Sequence, residues 1–147
     1  MGMFDSFSIS ASGLTAQRYR MDIIAENLAN VDTTRTSDGT PYRRKVVTFE
    51  ERGDHTTFSR ALSQASRNYA GQGVKVTGVY EDTWTEMVKA YDPSHPDADE
   101  NGYVWYPNVN TVTEMTDLID ASRSYEANAT AFQASKSMAM KALEIGK

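Results

Sequence analysis

The chain has no cysteine. That removes disulfides, thiolate zinc sites and cysteine nucleophiles together, and it suits either redox compartment. Histidine is nearly absent: His55 sits in a polar stretch and His95 between two prolines, and neither has the i, i+4 partner of a metal or triad histidine. No apolar run approaches the ~18 residues of a membrane span, and direct membrane insertion is not expected. The N-terminus lacks the basic region and apolar stretch of an ordinary secretory signal. Positive charge is in deficit, with a net charge of −5 and a pI near 5.0, which argues against a nucleic-acid or anionic-membrane surface. The densest basic cluster, Arg43-Arg44-Lys45, is too short to track a phosphate backbone. Gly71-Gln72-Gly73 leads into a strand, the reverse of the order a phosphate loop needs, and no Walker motif or nucleophile elbow is present. No catalytic residue, cofactor or metal ligand is expected.

What is present is periodicity at both ends. Phe4, Phe7, Ala11, Leu14, Arg18, Met21, Ala25 and Leu28 step by three and four, a heptad-like seam broken only by Arg18. Met115, Leu118, Ser122, Tyr125, Ala129, Phe132, Lys136, Ala139 and Leu143 repeat that spacing and predict a helix over about 111–144. Thr111 and Glu114 have the spacing of a capping box at its start. Gly13, costly inside a helix, reads either as local flexibility or as close approach of a neighbouring helix. Phe7, Ile24, Ile119 and Met138 widen the stripes beyond what one helix pair can cover, so apolar surface is left over for other chains.

The middle has another rhythm. Residues 44–49 and 74–77 are rich in β-formers. Residues 53–72 are polar and are expected to form a mobile loop or short helix, and residues 91–108, with three prolines, an ordered but irregular connection. The expected fold is therefore α+β, mainly α. Long N- and C-terminal helices, in 1–33 and 109–147, pair as a coiled-coil-like hairpin around a small β-rich insert at 34–108.

Within the connection, Asp97-Ala98-Asp99-Glu100-Asn101-Gly102 reads like the opening of a calcium loop. Position 12 of that loop would be Asn108, which cannot supply a bidentate carboxylate, and Pro93, Pro96 and Pro107 exclude the paired helices of an EF-hand. A turn built on Asn101-Gly102 is the preferred reading. A calcium-responsive helical adaptor using residues 97–102 is the second, and a hydrolase built on the clustered carboxylates lacks any base or orienting partner.

Several stretches are recognisable. Ser12-Gly13-Leu14-Thr15-Ala16-Gln17 and Ala25-Glu26-Asn27-Leu28-Ala29-Asn30-Val31-Asp32-Thr33 resemble the N-terminal signature of the bacterial flagellar rod and hook proteins, with Asp32 where asparagine is usual. Residues 38–45, 91–104 and 107–110, together with Ala121-Ser122-Arg123-Ser124-Tyr125-Glu126-Ala127-Asn128, are similar to the proximal-rod branch of the flagellar basal-body rod family. The resemblance is weakest over 53–72. It implies a non-enzymatic structural subunit that polymerises through its terminal helices into a torque-transmitting drive shaft. The implied partners are copies of the chain, other rod subunits, a membrane-ring/rod adaptor protein and the flagellar type III export apparatus. The implied location is extracytoplasmic, in periplasm or cell wall. The residues expected at the assembly interface are Phe7, Leu14, Met21, Leu28, Leu118, Tyr125, Phe132 and Leu143 as packing contacts. Arg18, Asn27, Asn30 and Arg123 are expected to fix helix register.

Overall fold

The computed structural model describes residues 3–53, 62 and 72–145. Helix α1 spans Met3–Ala29 and helix α2 spans Thr111–Ile145. Between them lie strands β1 (Lys45–Glu51), β2 (Val74–Glu81), β3 (Val88–Tyr91) and β4 (Tyr103–Tyr106). β1 pairs antiparallel with β2, and β3 with β4, as two separate two-stranded sheets. The expected α+β architecture is observed: two long terminal helices pack together, with the strands between them in sequence. Apart from residues 53, 62 and 72, the expected loop at 53–72, including His55, lies outside the described residues.

The helices run antiparallel. Asn27 meets Glu114 and Arg20 meets Asp117, while further along Gly13 meets Asn128 and Phe7 meets Phe132. A Cβ on Gly13 would stand 2.7 Å from Asn128 Oδ1, so the missing side chain is what permits this approach. Ala16 on α1 and Ala121 and Ala139 on α2 are buried as well.

Two sequence expectations need correction here. The N-cap of α2 is Asn110, whose Oδ1 accepts the N–H groups of Val112 and Thr113 at 3.0 and 3.2 Å. Thr111 is already the first helical residue, and Glu114 is turned inward rather than back to the cap. The irregular connection over 91–108 contains a strand, because Tyr103-Val104-Trp105-Tyr106 pairs with Val88–Tyr91. Its aromatic and β-branched side chains fit a pleated surface, with Val104 wholly buried.

The β1–β2 ladder lies along α1 and is tied to it at both ends. At one end Asn27 accepts the Lys45 N–H and donates to the Lys45 carbonyl, both at 2.9 Å. At the other, Ser12 Oγ accepts the Val74 N–H at 3.0 Å. Gly73 has φ +96° and passes so close to Ser12 that a Cβ would meet its Oγ at 2.2 Å, which leaves glycine as the residue that fits.

Candidate functional site

Two features stand out: a buried polar knot at one end of the helix pair, and an uncovered apolar face along α2.

The knot forms where the C-terminal end of α1, the start of β1 and the start of α2 converge. Glu114 is fully buried, and its Oε1 accepts a hydrogen bond from Arg44 Nε at 2.6 Å. Its Oε2 accepts one from Asn27 Nδ2 at 3.0 Å. Asn27, 1% exposed, uses its Oδ1 to accept both the Tyr42 hydroxyl and the Lys45 N–H at 2.9 Å. Arg44 also reaches Asp117 at 3.6 Å and Asp82 at 3.9 Å. Asn108, 6% exposed, accepts the Arg44 N–H at 2.9 Å and donates to the carbonyls of Asp82 and Thr85. A buried carboxylate with only one of these partners would cost several kcal/mol; here charge and lone pairs are both matched. Burial, reinforced by the carboxylates of Glu26, Glu114 and Glu81, pushes the Tyr42 hydroxyl up to about 12. The knot is a fastening: the polar groups of Asn27, Arg44, Asn108 and Glu114 are engaged with one another and with the backbone around them.

The expected interface residues divide into two groups. Phe7 and Phe132 meet edge to face at 5.0 Å within one chain. Leu14, Met21, Leu28 and Leu118 are half-buried. Asn27 is in the knot, and Asn30 closes the end of α1 by donating to the Glu26 carbonyl at 2.9 Å and accepting the Thr33 hydroxyl. Arg18, Arg123, Tyr125 and Leu143 lie on the outside, with Leu143 71% exposed. Ile24 is buried, so it adds nothing to the left-over surface, whereas Ile119 and Met138 are 54% and 66% exposed. Val112, Met115, Met140 and Ile145 are uncovered with them.

The acidic stretch at 97–102 resolves into turn chemistry. Asp97 accepts the Thr34 hydroxyl and lies 3.6 Å from Arg35, while Asp99 accepts the N–H groups of Asn101 and Tyr103 at 2.8 and 2.9 Å. The Tyr103 N–H, with that of Asn101, holds the Asp99 carboxyl below its ordinary value. Gly102 alone takes the left-handed conformation, φ +79°; Asn101 does not. The carboxylates face different partners, and among the described residues no three His, Cys, Asp or Glu side chains are grouped to hold a metal ion. Asn108, the residue that breaks the calcium loop, is a member of the knot.

The knot's other members, Tyr42, Arg44, Asn108 and Glu114, were not foreseen as a group. One signal was available: Glu114 shares a helical face with Leu118 and Ala121, an acidic side chain on the inward stripe.

The family model for flagella basal body rod proteins matches residues 7–35, and that for the flagellar basal body rod FlgEFG protein C-terminal region matches residues 100–145. The flagellar basal-body rod protein FlgC of Bacillus subtilis is 49% identical over 153 residues, covering 100% of both chains. The chain belongs to the FlgC family of flagellar basal-body rod proteins. FlgC of Borreliella burgdorferi is 47% identical over 99% of this chain and 98% of its own, and FlgC of Salmonella typhimurium 40% over the whole of both. The FlgC family is a structural component of the flagellar rod rather than a known enzyme family, and this chain is a rod protein of the basal body. Both family matches take in parts of the knot: Asn27 falls in the first, Asn108 and Glu114 in the second.

Proposed function

We propose that this rod subunit joins the rod through the outer face of its helix pair, and that the polar knot holds the hairpin in the shape the rod requires. The observation that carries the reading is the exposure of large apolar side chains at both ends of α2: Val112, Met115 and Ile119 near its start, and Met138, Met140, Leu143 and Ile145 near its end, are each more than half exposed. A chain of this size rarely leaves so many large apolar side chains of one helix in water, and burial against neighbouring copies returns about 25 cal/mol per Å². Of the expected interface residues, Arg18, Arg123, Tyr125 and Leu143 serve between subunits, while Phe7, Phe132 and Asn27 shape the hairpin. The terminal helices form one assembly unit, and the β-bearing insert rides on it.

The remaining partners follow from the same reading: other rod subunits, a membrane-ring/rod adaptor protein, and the type III export apparatus that delivers the chain to its extracytoplasmic place. No helix among the described residues is long and apolar enough to cross a membrane, in keeping with a subunit held by protein contacts. The test is the pair Met115→Asp and Ile119→Asp made together. The purified variant should keep its helical circular dichroism yet be missing from isolated basal bodies, and the strain should be non-motile. A motile strain whose basal bodies contain the variant would overturn the reading.

A further inference from the structure

Trp84 is 94% exposed, more than any other large apolar side chain among the described residues. The turn that presents it is well fastened. The Asp82 carboxylate accepts the N–H groups of Trp84 and Thr85 at 3.0 and 3.1 Å and the Thr85 hydroxyl at 2.8 Å. Asn108 holds the same turn by donating to the carbonyls of Asp82 and Thr85 at 2.9 and 3.2 Å. A preordered backbone loses little entropy on docking, and tryptophan is among the residue types most enriched at binding hot spots. The flanks are acidic: Glu81, Asp82 and Glu86, of which Glu81 and Glu86 are exposed.

A groove of about 500 Å³ lies beside the opposite end of the β1–β2 ladder. Its apolar wall comes from Ala16 and Tyr19 of α1 and from Val74 and Val76 of β2, and its charged lining residues are Arg52 and Lys75, both cationic. Lys75 also lies 3.4 Å from Glu50. The volume is within the roughly 300–1,000 Å³ typical of pockets that take ligand-sized groups. Lys45 pairs with Glu81 at one end of the ladder and Glu51 with Val74 at the other. Six steps of ~3.3 Å separate those ends by about 20 Å. Trp84 lies beyond the first end and Arg52 beyond the second, so the indole is out of reach of its own groove.

We propose that Trp84 of one copy seats in this groove of a second copy, its acidic flanks against Arg52 and Lys75. The contact rests on the rod-subunit reading above and adds to it a named pair of surfaces outside the helix stripe. Because knob and groove are different surfaces, the contact is heterologous. Each copy offers one of each, so successive contacts stay open at the ends or close into a ring, according to the rotation between copies.

The absence of native cysteine gives a clean test. Trp84→Cys copies and Thr15→Cys copies, the latter altered in the groove lining, are co-expressed, and isolated basal bodies are treated with the thiol oxidant diamide. A disulfide-linked dimer should appear only when both variants are present. A second pair, Glu86→Cys with Lys75→Cys, reads the same contact from its rim with the indole intact. Basal bodies that contain both members of the second pair but give no mixed dimer would overturn the proposal. So would Trp84→Cys copies linking to each other, which would make the contact isologous. If even the unsubstituted chain is missing from basal bodies, the rod reading itself fails, and that outcome is distinct from a missing cross-link.

Discussion

The two ends of the helix pair are built on opposite plans. Where α1 stops and α2 begins, Asn27, Arg44, Asn108 and Glu114 are buried or half-buried, and each is hydrogen-bonded within the chain. Among the described residues, the far end shows Phe7 on Phe132, while Met138, Met140, Leu143 and Ile145 are exposed. The first end is fastened by its own polar bonds, although Val112, Met115 and Ile119 on its outer face stand in water too; the second has no such fastening among the described residues. On the proposed reading the fold of the subunit depends on the polar end, and its insertion on the apolar side chains left exposed at both.

The largest expected effect tests the completed end. Glu114→Ala removes one partner of a buried charge pair and strands Arg44, and should lower stability by about 3 kcal/mol. The urea midpoint would show it, and no change would mean that Asp117 and Asp82 suffice for Arg44. Asn27→Ala comes next, at about 2 kcal/mol, since it leaves the Lys45 backbone and one Glu114 oxygen without their bonds. Gly13→Leu forces the helices apart at Asn128 and should cost about 1–2 kcal/mol by thermal denaturation. Gly13→Ala should cost less, since Asn128 can turn away and alanine favours the helix.

A smaller effect is read by pH. The Tyr42 hydroxyl is raised from 10.0 to about 12 in the folded chain. Its contribution is therefore fully present below pH 10 and is lost as pH rises through 12. Tyr42→Phe should flatten that part of the stability curve, and an unchanged alkaline slope would assign it elsewhere. On the acid side Asp82, Asp92 and Asp99 all contribute, and the Asp82 carboxyl is lowered mainly by the Thr85 hydroxyl bond. That contribution is present above the ordinary carboxylate range and fades as pH falls through the lowered value. The smallest expected change in the free chain sharpens the contrast. Met138→Glu should move stability by no more than about 0.5 kcal/mol, yet should exclude the chain from basal bodies.

Much of this was legible in advance, for reasons that can be named. The long seams revealed both helices because three-four periodicity survives single interruptions such as Arg18. A close helix contact was one of the two readings Gly13 offered, and Asn27 and Asn30 stood among the polar residues expected to fix helix register. The short strands were harder. Tyr103–Tyr106 is four residues between Gly102 and Pro107, too brief for alternation to rise above the surrounding prolines. The knot was hidden for another reason. Glu114 fits a local capping motif, and its actual partner, Arg44, lies 70 residues away, a pairing no local rule reports. Asn108 drew notice only for failing as a calcium ligand, when its two-sided amide was needed to join β1 to the 82–85 turn.

The double attachment of the β1–β2 ladder has a mechanical consequence. The stretch of α1 between Ser12 and Asn27 is about 22 Å long at 1.5 Å per residue, and the ladder between its ties is about 20 Å at ~3.3 Å per residue. The lengths nearly match, so the ladder is a strut fixed to the helix at both ends. Winding or unwinding α1 between those points would shear the ladder's hydrogen bonds. In a rod subunit such a brace would give α1 torsional stiffness, so that twist applied at one end of the helix would be delivered at the other.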